Sequence, residues 1–388
     1  MILKRGREGP VRGGSPWVFS QAIERVEPGV LAAGSAVELF SADGSILGFG
    51  YYNPATTIAV RILEWGGTAD LDEIIDRRLS GALELRRQLV RGDTNCYRLL
   101  NGDGDGLSGV VVDRYADVLV MQILTAGADR MRNRIVASLN SLLNPRSIVE
   151  RSQGAVRREE GLDDRAGLAA GEPVSDLVVI ENGIRIGVDV ERGQKSGYFL
   201  DQRENRAAFG ALAAGARVLD AYCYAAGFAI AAIKSGARHV TAIDSSAKAI
   251  EWARRNLELN GYSAAPAELL REDAAKYLAR TRERFDLIVL DPPPLARSRK
   301  DAERAERLYL ELNALALNAL APHGRLMTFS CSAHVRGDDF VRAIRFAQAR
   351  AARPTRILAH LGAAPDHPVL LGHAEGDYLT GLLLGALD

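Results

Sequence analysis

From about Leu212 to its end, the sequence alternates between short apolar runs and stretches with helical spacing. This alternation limits the fold more than any other feature of the chain. The runs are "ARVLDAYC", "HVTAID", "AELLRED", "FDLIVLD", "GRLMTFS", "TRILAHL" and "DYLTGLLLGAL". Helices are predicted between them over 227–235, 246–259, 274–281, 302–320 and 338–351. Six or seven strands with intervening helices predict a mostly parallel, doubly wound α/β sheet. Such sheets bind ligands beyond the carboxyl ends of their strands, so the functional question narrows to the residues at those ends.

The chain upstream has a different texture. At 388 residues it exceeds one usual domain, and two or three are expected. The first 75 or so residues read as a small β unit. "SAVELFSADGSILGFGYYN" is strand, turn, strand with Asp43-Gly44 at the turn, and "TTIAVRILEW" is a further strand. Lys4, Arg5, Arg7 and Arg12 give its start a basic character. A charged helix over Leu71–Arg91 leads into a second unit. There "CYRLLNGDGDGLSGVVVDRYADVLVMQIL" suggests three strands, "ADRMRNRIVASLNSLL" an amphipathic helix stopped by Asn144-Pro145, and "VVIENGIRIGVDV" a hairpin on Asn182-Gly183. The expected division is a β-rich unit 1–75, a small α+β unit 76–190 and an α/β domain 191–388.

Composition excludes several classes. With 47% hydrophobic and 25% charged residues the chain can form a core without staples. Three well-separated cysteines, Cys96, Cys223 and Cys331, argue against a disulfide framework and for a reducing, cytoplasmic setting. No metal-ligand spacing occurs, so no metal is expected. The N-terminus has no apolar signal core, and no run reaches the ~18 residues of a membrane span. The zero formal net charge argues against a nucleic-acid coat protein while leaving room for an enzyme with a local basic face.

The strand ends are unusually rich in acids. The first ends in "DAYCYAAGFA", where Asp220 precedes a small-residue turn, Ala225-Ala226-Gly227, that lets a ligand approach the backbone or simply opens a helix. The second ends in Asp244, 24 residues on, near the distance at which a carboxylate accepts from ribose hydroxyls. Capping the next helix is the other use of such a residue. The third ends in Glu272-Asp273-Ala274, where the acid can serve an adenine amine or a helix start. The fourth ends in "DPPPLARSRK". Asp291 before three prolines makes a stiff turn with free carbonyls, suited to gripping the edge of a planar base. The fifth ends in Ser330-Cys331-Ser332. Cys96 and Cys223 read as small core residues, with Cys223 also near a ligand turn. Cys331 shares a sheet edge with Asp291, where a cysteine can act as a nucleophile.

These motifs resemble those of class I S-adenosylmethionine-dependent methyltransferases. More narrowly, nearly the whole chain resembles the bacterial PUA-domain 23S rRNA cytosine-5 methyltransferases. "PWVFSQAI" resembles the opening of their PUA domain, "GDGDGLSGVVVDRY" their central domain and "KSGYFLDQRENR" their entry to the methyltransferase domain. "DPP" and "TFSCS" resemble their substrate and nucleophile motifs, and "DHPV" (366–369) their C-terminal signature. Departures occur at Ala225-Ala226, where the family has Thr-Gly, at Leu295, where it has an aromatic, and at Ser15 and Gln21.

The resemblance implies S-adenosyl-L-methionine as cofactor, contacted at Phe199, Arg203, Asp220, Tyr222, Ala225, Gly227, Asp244, Ser245, Asp273, Ala274 and Asp291. It implies catalysis by Cys331 and Asp291, and RNA contacts at Pro292, Pro293 and Arg297. The implied partner is RNA, either 23S rRNA or a large-subunit assembly intermediate, and a homodimer is suggested. An amino-group methyltransferase acting on guanine N2 or adenine N6 would share the acid-proline motif but need no cysteine at 331. An NAD(P)-dependent oxidoreductase lacks its glycine fingerprint here. A non-catalytic RNA-binding protein would need neither the acidic strand ends nor Cys331.

Overall fold

The structure is a computed structural model that describes residues 1–27, 29–67, 70–191, 193, 196–264, 266–296, 299–332 and 334–387. Contacts divide it into two compact units. One comprises Met1–Val179, Val188–Leu200 and Pro365–Gly376. The other comprises Ile180–Gly187, Asp201–Ala364 and Asp377–Asp388.

The first unit holds two sheets. Strands β1 (Ile2–Leu3), β2 (Trp17–Phe19), β3 (Ile23–Arg25), β4 (Ser35–Phe40), β5 (Ile46–Tyr52) and β6 (Ile58–Trp65) form a six-stranded sheet in the order β2-β6-β5-β4-β1-β3, with a single-turn helix α1 (Gly9–Arg12). Its core is Leu3, Val18, Leu39, Val60 and Ile62. Helix α2 (Leu71–Leu89) starts at Asp70, whose carboxylate accepts from the N–H groups of Asp72 and Glu73 at 2.8 and 3.2 Å. That satisfies two of the helix's orphan donors. Strands β7 (Cys96–Asn101), β8 (Val110–Tyr115) and β9 (Val118–Ile123), helix α3 (Ala126–Leu143), strand β10 (Ser147–Ser152), short helix α4 (Ala155–Glu159) and strand β11 (Arg165–Gly171) follow. The five strands run in the order β11-β10-β9-β8-β7. Ile74, Leu79 and Leu83 of α2 and Ile135 and Leu139 of α3 pack with Leu99, Val112 and Met121 of this sheet.

The sequence reading did not anticipate β11 or α4. Strand β11 lies at the sheet edge, and most of its residues are exposed, so nothing selects for alternating apolar residues. The "DHPV" stretch is anchored in this first unit. The Asp366 carboxylate is buried and accepts from the Arg98 N–H at 2.8 Å. Arg86, also buried, forks onto Asp105 at 2.6 and 2.7 Å and donates to the Asp366 carbonyl at 2.7 Å.

Strands β12 (Leu177–Glu181) and β13 (Ile184–Val188) pair as the expected hairpin. Asn182 and Gly183 both take positive φ (49° and 69°), as a two-residue turn of this hand requires.

The second unit carries β14 (Arg217–Ala221), β15 (His239–Asp244), β16 (Ala267–Arg271), β17 (Phe285–Leu290), β18 (Leu320–Ser330), β19 (Thr355–Leu361) and β20 (Thr380–Ala386). They form one seven-stranded sheet in the order β16-β15-β14-β17-β18-β20-β19. The first five in that order are parallel, and β20 runs antiparallel to both its neighbours. Helices α5 (Arg203–Ala211), α6 (Gly227–Lys234), α7 (Ala247–Leu259), α8 (Ala274–Arg280), α9 (Ala302–Ala319) and α10 (Asp338–Ala351) complete the unit. Leu287, Ile288, Val289 and Leu290 of β17 are all at most 1% exposed. A strand covered on both faces shows a continuous apolar run in place of alternation, which is why it was legible as buried. Ala221 of β14 pairs with Ile243 and Leu290, and Leu290 with Thr328, so these strands end together at one sheet edge.

Candidate active site

The turn after β14 has an unusual backbone. Tyr222, Tyr224 and Ala226 all have positive φ (68°, 46° and 62°), a region that residues with a Cβ enter at a cost. The surroundings hold the turn in place. The Cys223 N–H donates to the Ile243 carbonyl at 2.9 Å, and the Tyr224 N–H to Asp244 Oδ2 at 3.1 Å. Asn256 on α7 is fully buried. Its Nδ2 donates to the Ala225 carbonyl at 3.0 Å, and its Oδ1 accepts from the Gly187 N–H at 2.8 Å. Asn256 thus braces this turn from α7, a role that nothing in its local sequence shows.

Four strand-end acids meet here. Asp220 is buried and accepts from the Ala229 N–H of α6 at 2.9 Å. Burial pushes its carboxyl up to about 7; the Ala229 bond opposes this, and the nearby Asp291 and Asp244 carboxylates add to it. Asp244 does not cap α7. Ser246 does, with its Oγ accepting from the Ala249 N–H at 3.3 Å. The Asp244 carboxylate instead accepts from Tyr224 and, at 2.8 Å, from Ser246, and it is half-buried at the end of β15. Asp273 caps α8, accepting from the Lys276 N–H at 2.9 Å, and is exposed. Asp273 and Asp244 both lie close enough to Tyr222 to help burial push its phenol up to about 12. Ser245 is exposed beside Asp244, while Ala225, Gly227 and Ala274 are buried.

Of the other anticipated residues, Phe199 is half-buried in the first unit. Arg203 opens α5 in the second, buried, with its Nε on Glu204 at 3.0 Å. Arg297 lies outside the described residues.

The fourth and fifth strand ends adjoin. Cys331 follows β18, is partly exposed, and its Sγ donates to the Pro292 carbonyl at 3.6 Å. The thiol therefore lies beside the turn that Asp291 begins. Pro292 is buried and Pro293 exposed. Ser332 Oγ accepts from the Leu295 and Ala296 N–H groups at 3.0 and 3.3 Å. Sequence reasoning passed over Ser330, Ser332 and Tyr309, although the two serines flanking the cysteine were visible. Cys96 and Cys223 are buried. Burial, with the Asp220 and Asp244 carboxylates, pushes the Cys223 thiol well up, consistent with a small core residue.

A model of S-adenosylmethionine-dependent methyltransferases matches residues 137–376, and one of PUA-like domains matches 1–65. The chain belongs to the S-adenosylmethionine-dependent methyltransferase family. Its similar proteins include a "Ribosomal RNA large subunit methyltransferase I" of Aeromonas hydrophila subsp. hydrophila, 42% identical, with all of this chain and 99% of that protein covered. Another of the same name from Klebsiella pneumoniae strain 342 is 38% identical over 98% of this chain and 96% of its own length. A methyltransferase solved in complex with SAH, 22% identical, covers 99% of both chains at a TM-score of 0.84 and shares the fold. The fold is thus that of a class I methyltransferase with an N-terminal PUA-like domain.

S-adenosylmethionine fits the residues present. It carries a sulfonium cation, a vicinal diol and an adenine amine, all of which seek acceptors. The strand ends offer carboxylates at Asp220, Asp244 and Asp273; burial chiefly, with repulsion from Asp291 and Asp244, raises Asp220, and an added cation would oppose that rise.

Proposed function

We propose that this methyltransferase forms 5-methylcytosine in large-subunit (23S) ribosomal RNA through a covalent adduct between Cys331 and carbon 6 of the base. The observation that carries the reading is the contact from Cys331 Sγ to the Pro292 carbonyl. A base gripped by Asp291 would then have its ring within reach of the sulfur. The RNA class is supported by the name the relatives carry and by the PUA-like match.

Carbon 5 of cytosine is too poor a nucleophile to take a methyl group unaided. Addition of the Cys331 thiolate to carbon 6 makes carbon 5 enamine-like and able to attack. Asp291 holds the N3 and amine edge, where charge develops as the adduct forms. S-adenosylmethionine, when bound at the strand ends, supplies the electrophilic methyl group. Loss of the carbon 5 proton then lets the carbon–sulfur bond break and returns the thiolate. The target base must leave its stack, which loop RNA makes easier.

The test combines mass spectrometry of ribosomal RNA from cells with and without the protein, and methyl transfer by Cys331→Ala. The expected outcome is a 5-methylcytosine that depends on the protein, no transfer by Cys331→Ala, and cofactor affinity close to wild type. RNA containing 5-fluorocytosine should trap the wild type and Cys223→Ala, but not Cys331→Ala. Appreciable transfer by Cys331→Ala would replace this reading with an amino-group methyltransferase.

A further inference from the structure

The residues on either side of Cys331 belong to a closed set of hydroxyls. Ser330, Ser332 and Tyr309 are each 0% exposed. Ser332 Oγ is 3.0 Å from Tyr309 Oη, Tyr309 Oη is 3.0 Å from Ser330 Oγ, and Ser330 Oγ is 2.6 Å from the Val335 carbonyl. Ser330 Oγ is the donor toward both the Val335 carbonyl and Tyr309 Oη, and its one proton is shared between them. Ser332 Oγ already accepts from the Leu295 and Ala296 N–H groups, so its own proton goes to Tyr309 Oη. Ser330 Oγ also accepts from the Ser332 N–H at 3.3 Å. The relay of contacts joins the proline turn to Val335 through Ser332, Tyr309 and Ser330. Every member is buried, so any bond left unmade leaves an unsatisfied group.

This relay ties together the two segments that the proposed chemistry must align. Leu295 and Ala296 close the turn that begins at Asp291. Ser330 and Ser332 bracket the cysteine, leaving Cys331 as the partly exposed member of the three. Tyr309 reaches both from α9, a helix anchored by Ala305, Leu312, Ala316 and Leu317 in the core. We propose that Tyr309 is a positioning residue whose hydroxyl sets the separation of the Asp291 turn and the Cys331 sulfur. The inference rests on the cytosine-5 reading, since only a nucleophilic cysteine needs that alignment.

Tyr309→Phe removes the hydroxyl and keeps the ring, which packs edge-on against Phe340 at 5.3 Å. Single-turnover methyl transfer at saturating cofactor and RNA should slow by roughly 10- to 100-fold, the scale of a small misplacement of reacting atoms. Adduct formation with 5-fluorocytosine RNA should slow by the same factor. The dissociation constants for S-adenosylmethionine and RNA should stay within about twofold, which a general loosening of the unit would not allow. Ser332→Ala should behave alike, and the double variant should be no slower than the slower single one, because the relay acts as a unit. Should Tyr309→Phe fail to fold, Ser332→Ala decides by the same readouts. A wild-type rate in the tested variant, with Cys331→Ala inactive, overturns the role of Tyr309 and leaves the nucleophile standing. An active Cys331→Ala overturns the nucleophile, and the positioning role falls with it.

Discussion

Asp220→Asn isolates one buried charge. The carboxyl is fully enclosed, and burial with two neighbouring carboxylates raises it from 3.8 to about 7. In the unfolded chain it ionises near its ordinary value. Between those limits the folded state holds a proton that the unfolded state has lost, so stability falls as pH rises through that window. Asparagine carries no such charge and keeps an acceptor for the Ala229 N–H. Other titrations cancel in the difference between the two proteins. From pH 5 to pH 8 the wild type should lose about two decades of proton linkage relative to the variant, or about 3 kcal/mol. At roughly 2–4 °C per kcal/mol for a unit of this size, the melting temperature of the variant should gain about 6–12 °C on the wild type over that range. Calorimetry without cofactor, at several pH values in matched ionic strength, reads this directly. A gap between the two proteins that is the same at pH 5 and pH 8 would mean that Asp220 titrates like an ordinary aspartate, and the electrostatic account of the strand ends would be wrong.

The same proton should appear in cofactor binding. S-adenosylmethionine affinity should rise with pH up to about 7 and then level, while S-adenosylhomocysteine, whose sulfur is a neutral thioether, stays flat; parallel titration curves for the two would remove Asp220 from the sulfonium's surroundings. Asp244→Asn should weaken cofactor binding by about 1.5–3 kcal/mol in isothermal calorimetry, the range for hydrogen bonds to a charged group, and unchanged affinity would take Asp244 out of the site. Asn256→Leu strips two buried backbone groups of their partner, and it should cost about 1–3 kcal/mol of stability and weaken cofactor binding, as followed by denaturant unfolding and calorimetry. Lys4, Arg5, Arg7 and Arg12 are exposed; replacing all four with alanine should flatten the salt dependence of RNA binding by roughly one unit of slope per lost phosphate contact, and an unaltered slope would assign that contact elsewhere.

What was legible in the sequence was periodic or punctuated. The buried run of β17, the stop at Asn144 and the Asn182-Gly183 turn each left a local signal, because a single physical constraint fixes each of them. The acids at the strand ends were legible because a strand that must stop shows where its edge lies. Edge strand β11 was not, since exposure frees it from any pattern. In "PWVFSQAI", Trp17 donates its indole N–H to Asp103 at 3.1 Å and packs edge-on against His373. In that segment Phe19 remains as the exposed ring. Partners that distant in sequence leave no trace in the composition around Trp17. The relay through Tyr309 was hidden for the same reason, as its members lie 21 and 23 residues apart.

Cys223 and Cys331 show how two thiols at one sheet edge come to differ. Both follow a strand in the same sheet, and each adjoins the turn beyond a strand end. Cys223 lies beneath a turn that its own backbone holds, and burial with the surrounding carboxylates keeps it a thiol. At Cys331 the neighbouring serines take the buried positions, and their hydroxyls need partners. Satisfying those partners rotates the cysteine outward, because alternate side chains of an extended segment leave on opposite sides. The "SCS" pattern therefore serves two ends at once. The serines bind the chain down through buried hydrogen bonds, and the partly exposed cysteine between them has its sulfur 3.6 Å from the Pro292 carbonyl. On the proposed mechanism, replacing either serine would act on the reaction without touching the sulfur, which is why the pattern reads better as three residues than as a cysteine with neighbours.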